Sequence, residues 1–214
     1  SHSLAALLSY FGEKPTLFLG YGAYRTRADL CSKFVFADAW IIARQYLSLA
    51  SLGIGSMAVG RNMACPKKEG MEALQKSHVE GLQSGDDDLS LFYLWKTVAT
   101  KAWSVAPSTY TLSEAPLNLL DWAEQKRRHW STAPHYPKGI KALHVSYLLL
   151  RVLAYPAALL SIAKLLAPAA AIMTLLAWLC HAAAAMVWSL RTGNAKQAYW
   201  LIAADLIYIF VHPI

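Results

Sequence analysis

From Leu165 to Leu190 the chain reads LLAPAAAIMTLLAWLCHAAAAMVWSL, 26 residues without an Asp, Glu, Lys or Arg. A helix rises about 1.5 Å per residue, so this run is longer than the roughly 30 Å hydrocarbon core of a bilayer requires. A transmembrane helix is therefore expected here. The flanking stretches 142–163 and 197–214 are also apolar, but the first holds Arg151 and the second Asp205. A charge at mid-bilayer costs a few kcal/mol unless it finds a partner or an interface. Arg151 and Asp205 could pair across a helix bundle, or Arg151 could snorkel outward. Two or three spans are expected in total, with His181 hydrogen-bonded to a neighbouring helix.

The rest of the composition follows from this. Charged residues make up only 15% of the chain, against roughly 25% in soluble domains. The formal charge of +7 invites a nucleic-acid reading, but its distribution argues against one. Lys126, Arg127, Arg128, Lys138 and Lys141 all precede the first apolar stretch, which places that region in the cytoplasm by the positive-inside rule. A multi-pass protein of the cytoplasmic (inner) membrane is expected, with a membrane surface and an anionic substrate as partners and no nucleic acid. Cys31, Cys65 and Cys180 are odd in number and lack CxxC spacing, so neither a disulfide framework nor a zinc site is expected. Leu4 to Leu8 is a short apolar run without the charged start of a secretory signal.

Ahead of the apolar region the pattern is that of a mixed α/β chain. Residues 15–24 read as a buried strand closed by Gly20 and Gly22. Cys31 to Leu52 has helical spacing, with Arg44 on the polar face, and SMAVGRNMA reads as a strand entering a loop. Met71 to Ser77 reads as a short helix, Gln83-Ser84-Gly85 as a turn, Leu89 to Ala102 as an amphipathic helix and 103–111 as extended chain. A further helix is expected from about Leu117 to Trp130. Its apolar Leu119, Leu120, Ala123 and Trp130, set against Asp121, Glu124, Lys126 and Arg127, would suit it to lie at a membrane interface.

Two clusters could carry chemistry. Asp86, Asp87 and Asp88 follow a glycine and open a helix. A helix N-terminus attracts carboxylates on electrostatic grounds alone, so a solvated helix start is one reading of them. Some forty residues later comes EQKRRHW, Glu124 to Trp130, which reads equally as a membrane-binding patch. Together the clusters suit transfer of a sugar from a diphosphate donor. A carboxylate takes the acceptor proton, and Arg and Lys hold the leaving diphosphate.

The ordered stretches MAVGRNMA (57–64), SGDDDL (84–89), SEAP (113–116) and DWAEQKRRHWST (121–132), followed by apolar helices, resemble the membrane-attached, processive-type family 2 glycosyltransferases, closest to a bacterial group. The resemblance spans roughly residues 17–140. It implies an α/β fold, the C-terminal half of a GT-A-type glycosyltransferase domain over 1–116. An amphipathic interface helix and linker over 117–139 and transmembrane helices over 140–214 would follow. It further implies an inverting transferase with a nucleotide-sugar donor and a lipid-linked or polysaccharide acceptor, its catalytic part cytosolic. By that likeness Asp86 is the catalytic base, with Asp87 the alternative because Gly85 stands where many members have Glu. Gln125 and Arg128 match the QxxRW motif that engages the donor diphosphate. His129 occupies the Trp position, and Trp130 lies one residue late. Gly60, Arg61 and Asn62 correspond to the acceptor loop. A divalent metal (Mg or Mn) is implied for the whole enzyme, with its Asp-x-Asp ligands in a nucleotide-binding half that this sequence does not contain, so the chain alone is expected to be inactive. Glu114 could stand behind the basic group or start the helix, and Tyr21 and Tyr24 are expected to pack. Two rivals remain: a non-enzymatic membrane anchor or assembly subunit, and a small transporter component built on Arg151, His181 and Asp205.

Overall fold

The computed structural model describes residues 2–82, 84–162 and 168–194. The expected third span over 197–214, Asp205, Gln83 and the Arg151 side chain lie outside the described residues. The chain forms two compact units, Ser1–Pro137 and Lys138–Ile214.

The first unit is mixed α/β. A short α1 (His2–Leu8) leads into β1 (Thr16–Gly20), whose TLFLG run is buried at every position. Such an unbroken apolar run suits a strand covered on both faces. It is the central strand of a three-stranded sheet, antiparallel to β3 (Met63–Ala64) and parallel to β4 (Thr100–Ser104), with Thr16 opposite Thr100 and Gly20 opposite Ser104. After Tyr21 the chain continues as β2 (Gly22–Arg25), which pairs in parallel with β5 (Thr111–Glu114) in a second, two-stranded sheet. Gly20 is required here, because a Cβ would come within 2.4 Å of the Asn62 amide.

The connection between β1 and β4 runs through helices. Asp29 caps α2 (Leu30–Ser51), its side chain accepting from the Ser32 N–H at 2.8 Å. Val35, Trp40, Ile41, Tyr46 and Leu47 supply its core face, and the Tyr46 hydroxyl donates to the Gly20 carbonyl at 2.7 Å. Arg44 lies on this helix as expected but is buried, with its guanidinium 5.2 Å from the Trp40 ring centre. The GRN stretch is a 3₁₀ turn and only Met63–Ala64 pairs as strand. α3 (Lys67–Ser77) packs along α4 (Asp86–Thr97). α4 ends at Thr97 and not at Ala102, because residues 100–104 are drawn into the sheet by β1.

α5 (Leu119–Trp130) starts at Asn118, whose side chain accepts from the Asp121 N–H at 2.9 Å. Its buried face is not the one the leucines suggest. Trp122 is buried and donates its indole N–H to Asp38 of α2 at 3.0 Å, with its ring edge-on to Phe34. Lys126 pairs with the same carboxylate oxygen at 2.6 Å. Leu117 and Leu120 are left 79% and 81% exposed. The helix is thus anchored into the first unit through polar partners that hydrophobic periodicity does not register.

The second unit contains α6 (Lys138–Ile162), with Pro156 inside it, and α7 (Pro168–Arg191). The two pack on each other. In α7 the small residues Ala185 and Ser189 are buried, as is Thr192 just beyond it. Leu149, Leu150 and Leu153 of α6 are exposed, as are Leu175, Leu176, Leu179 and Leu190 of α7. Ile172–Arg191 is long and apolar enough to cross a membrane by length and composition.

Candidate active site

The acidic turn is built on Gly85, whose φ of 90° lies in the left-handed region. A side chain there would be strained, and its Cβ would fall 1.9 Å from the Thr132 methyl. Glycine therefore lets the turn pack against the segment after α5. The three carboxylates that follow sit about 100° apart around the first turn of α4 and diverge. Asp86 is exposed. Asp87 is half-buried, its Oδ2 accepting from the Gly60 N–H at 2.8 Å and its Oδ1 from the Asp88 N–H at 3.0 Å. Asp88 is buried, accepting from the Ala58 N–H at 2.8 Å through Oδ1 and from the Tyr136 hydroxyl through Oδ2. Burial, and then the neighbouring Asp87 charge, push its carboxyl up to about 7.

These bonds join three segments that are distant in sequence. The 58–60 loop is held by Asp87 and Asp88, and the 132–136 segment by Gly85 and Asp88. A second bridge runs through Tyr24 of β2. The Arg61 guanidinium donates to the Gly22 carbonyl and lies 4.1 Å from the Tyr24 ring centre, and Gln125 donates its amide N–H to the Tyr24 hydroxyl at 3.0 Å. Stacking and hydrogen bonding through one tyrosine thus link the GRN turn to α5. Asn62 points inward, its amide donating to the carbonyls of Tyr21 and Thr109 at 2.9 and 3.0 Å.

Around α5 the basic run separates by direction. Gln125, Lys126 and His129 turn toward the body, while Arg127 and Arg128 are exposed. Arg127 lies 3.9 Å from Glu124. Burial holds the His129 imidazole below its ordinary value, against the pull of the Asp87 carboxylate, while Lys126 and Arg128 add to the lowering. Asp87 and His129 are therefore within electrostatic reach of one another. Trp130 is half-buried at the end of the helix.

No family model, curated protein or solved structure matches the chain.

The site's geometry brings together Gly60, Asp87, Gln125 and His129, directly or through Tyr24, and leaves Asp86 and Arg128 exposed at its edge. Glu114 is not part of it: it ends β5 and pairs with Arg25 at 3.5 Å. The Arg61 Nε, Asn62 Oδ1, Tyr21 hydroxyl and Asp38 Oδ1 are buried without hydrogen-bond partners among the described residues, so ordered water or a polar ligand is needed to satisfy them. The diverging carboxylates do not form a cation cage, and among the described residues no group of three or more His, Cys, Asp or Glu could hold a metal. Sequence reasoning passed over Asp38 and Tyr136, named Asp88 only as one of the acidic triplet, and gave Tyr24 only a packing role. Their signal was weak, since a single Asp or Tyr in an apolar neighbourhood acquires its meaning from its partner.

Proposed function

We propose that this chain is part of a membrane-bound inverting glycosyltransferase of the family 2 type, in a GT-A-type domain followed by transmembrane helices. The observation that carries the reading is the meeting of separate motifs on one turn. Asp87 bonds Gly60 of the GRN stretch and lies within reach of His129 of the QKRRHW stretch. Three short motifs that were structurally unrelated would have no reason to converge; the fourth, SEAP, stands apart, with Glu114 paired to Arg25.

Of the two candidate bases the geometry favours Asp87 over Asp86. Asp87 borders the acceptor loop through Gly60 and its charge acts on His129, whereas Asp86 is exposed. In this reading Asp87 takes the proton from an acceptor hydroxyl as its oxygen forms a bond to the anomeric carbon of the donor sugar. The bond from that carbon to the diphosphate breaks on the opposite face, which inverts the centre and releases a nucleoside diphosphate. In this reading Gln125 and the exposed Arg128 engage the departing diphosphate, and burial favours the neutral form of His129. The leucine-covered surfaces of α6 and α7 favour the membrane part of the proposal, because apolar faces of that extent are costly in water. The cytosolic placement rests on the basic residues ahead of α6.

The test uses membranes carrying the full-length protein and a panel of nucleotide sugars, with release of nucleoside diphosphate as the readout. Asp87→Asn is expected to lower turnover about 10²- to 10⁴-fold, the usual contribution of a general base, while Asp86→Asn retains most of it. Turnover undiminished in Asp87→Asn would sink the assignment of the base. No turnover by the wild type with any donor would favour a membrane anchor without catalysis.

A further inference from the structure

A concavity lies on the first unit, where α3 and α4 part company. The two helices are joined by a hydrogen bond between the Ser77 and Ser90 hydroxyls at 2.9 Å and by the Tyr93 hydroxyl donating to Glu72 at 2.9 Å. Toward the end of α3 they leave a groove of about 380 Å³, closed on its third side by the 135–137 turn. Val79, Leu89 and Phe92 line its apolar part, while Lys76, Lys96 and His135 supply its polar part, and no carboxylate lines it. Phe92 is fixed by edge-on contact with Tyr136 at 5.1 Å. Lys76 is held in place by Tyr93, 3.1 Å from its hydroxyl and 4.5 Å from its ring centre. Glu72 accepts the hydrogen bond of the Tyr93 hydroxyl from the other side, leaving that hydroxyl's lone pairs to face the lysine.

We propose that this groove binds the headgroup of an anionic phospholipid. The cations and the imidazole suit a phosphate. The apolar lining would stay wet beneath a free phosphate ion but would be covered by the glycerol and first acyl carbons of a lipid. The occupant is therefore an amphiphile with a negative head. Lys138 and Lys141 follow Pro137 in sequence, and basic residues near an anionic leaflet each add attraction to it. The inference rests on the membrane part of the proposed function and is independent of sugar transfer.

The experiment follows the thermal midpoint of the detergent-solubilised full-length protein. Dihexanoyl phosphatidylglycerol is expected to raise it by about 3–5 °C near saturation, with dihexanoyl phosphatidylcholine and inorganic phosphate having no effect. In the Lys76→Gln/Lys96→Gln double variant the lipid-free midpoint stays within about 1 °C of wild type and the shift disappears. Val79→Trp, which fills the groove and spares both lysines, abolishes the shift as well. An equal shift with phosphatidylcholine, an equal shift with inorganic phosphate, or a shift retained in both variants overturns the proposal. Resistance of the wild type to alkaline extraction from membranes is measured alongside, so that failure of the membrane reading is seen separately.

Discussion

Asp86, Asp87 and Asp88 are chemically identical in sequence and have three different positions in the fold. Asp88 is the structural one, receiving one hydrogen bond from a backbone amide and one from a tyrosine in a dry environment. Its carboxyl is pushed up to about 7 in the folded state, against about 3.9 unfolded. The folded state therefore holds this proton more tightly. The associated stability is fully present below about pH 4 and is lost as pH rises through about 7, at roughly 1.4 kcal/mol per unit of difference. Denaturant unfolding between pH 5 and 8 should show wild-type stability falling more steeply than that of Asp88→Asn, which has no proton to lose. Asp88→Ala should cost about 2–4 kcal/mol at low pH, because the Ala58 amide and Tyr136 hydroxyl lose this acceptor inside the protein, and less as pH rises through about 7. The sequence placed a carboxylate triplet at a helix start correctly. It did not rank the three, because neighbours on a helix differ only in direction, and direction has meaning only when the opposing loop is in place.

α5 carries the same lesson for a whole element. Its existence, its Asn118 start and its end near Trp130 follow from local chemistry, and the reading of 117–130 as helix differs from the structure by two residues. Its orientation does not follow. Exposed leucines and an inward-turned, half-buried lysine invert the expected pattern, since the Asp38 carboxylate offers Trp122 and Lys126 partners that no apolar surface could supply. Lys126→Ala should therefore destabilise the protein by about 3–5 kcal/mol by leaving Asp38 buried and unpaired. Arg127→Ala, one position away but exposed, should stay within about 0.5 kcal/mol. An Asp38→Asn/Lys126→Gln double variant that recovers part of the loss, measured in a thermodynamic cycle, would identify the pair as the cause. Gly85→Ala should be as damaging as Lys126→Ala, because the added methyl meets Thr132 and the backbone conformation is wrong for alanine; its measure is the yield of folded protein on size exclusion.

At the scale of the whole molecule the division into a mixed α/β unit and a pair of long apolar helices was legible in the sequence. Charge-free length identifies α7 without any knowledge of packing. An arginine introduced at Leu179, which is exposed on α7, should cost about 2.5–3.5 kcal/mol of insertion free energy and release a measurable fraction of the chain on alkaline extraction. Extraction identical to wild type would count against a span there. The sequence by itself determined most of the helices, the buried strand β1, the turn at Gly85 and the apolar character of the C-terminal region, because these depend on residues near one another along the chain; residues 100–102 continue a helical pattern and become strand only because β1 pairs with them. Only the tertiary structure decided that Asp87 meets Gly60 and comes within reach of His129, that Asp88 fastens Tyr136, and that Lys126 turns inward. Each of those is a pairing across tens of residues, and its free energy exists only once burial has removed water as the competing partner.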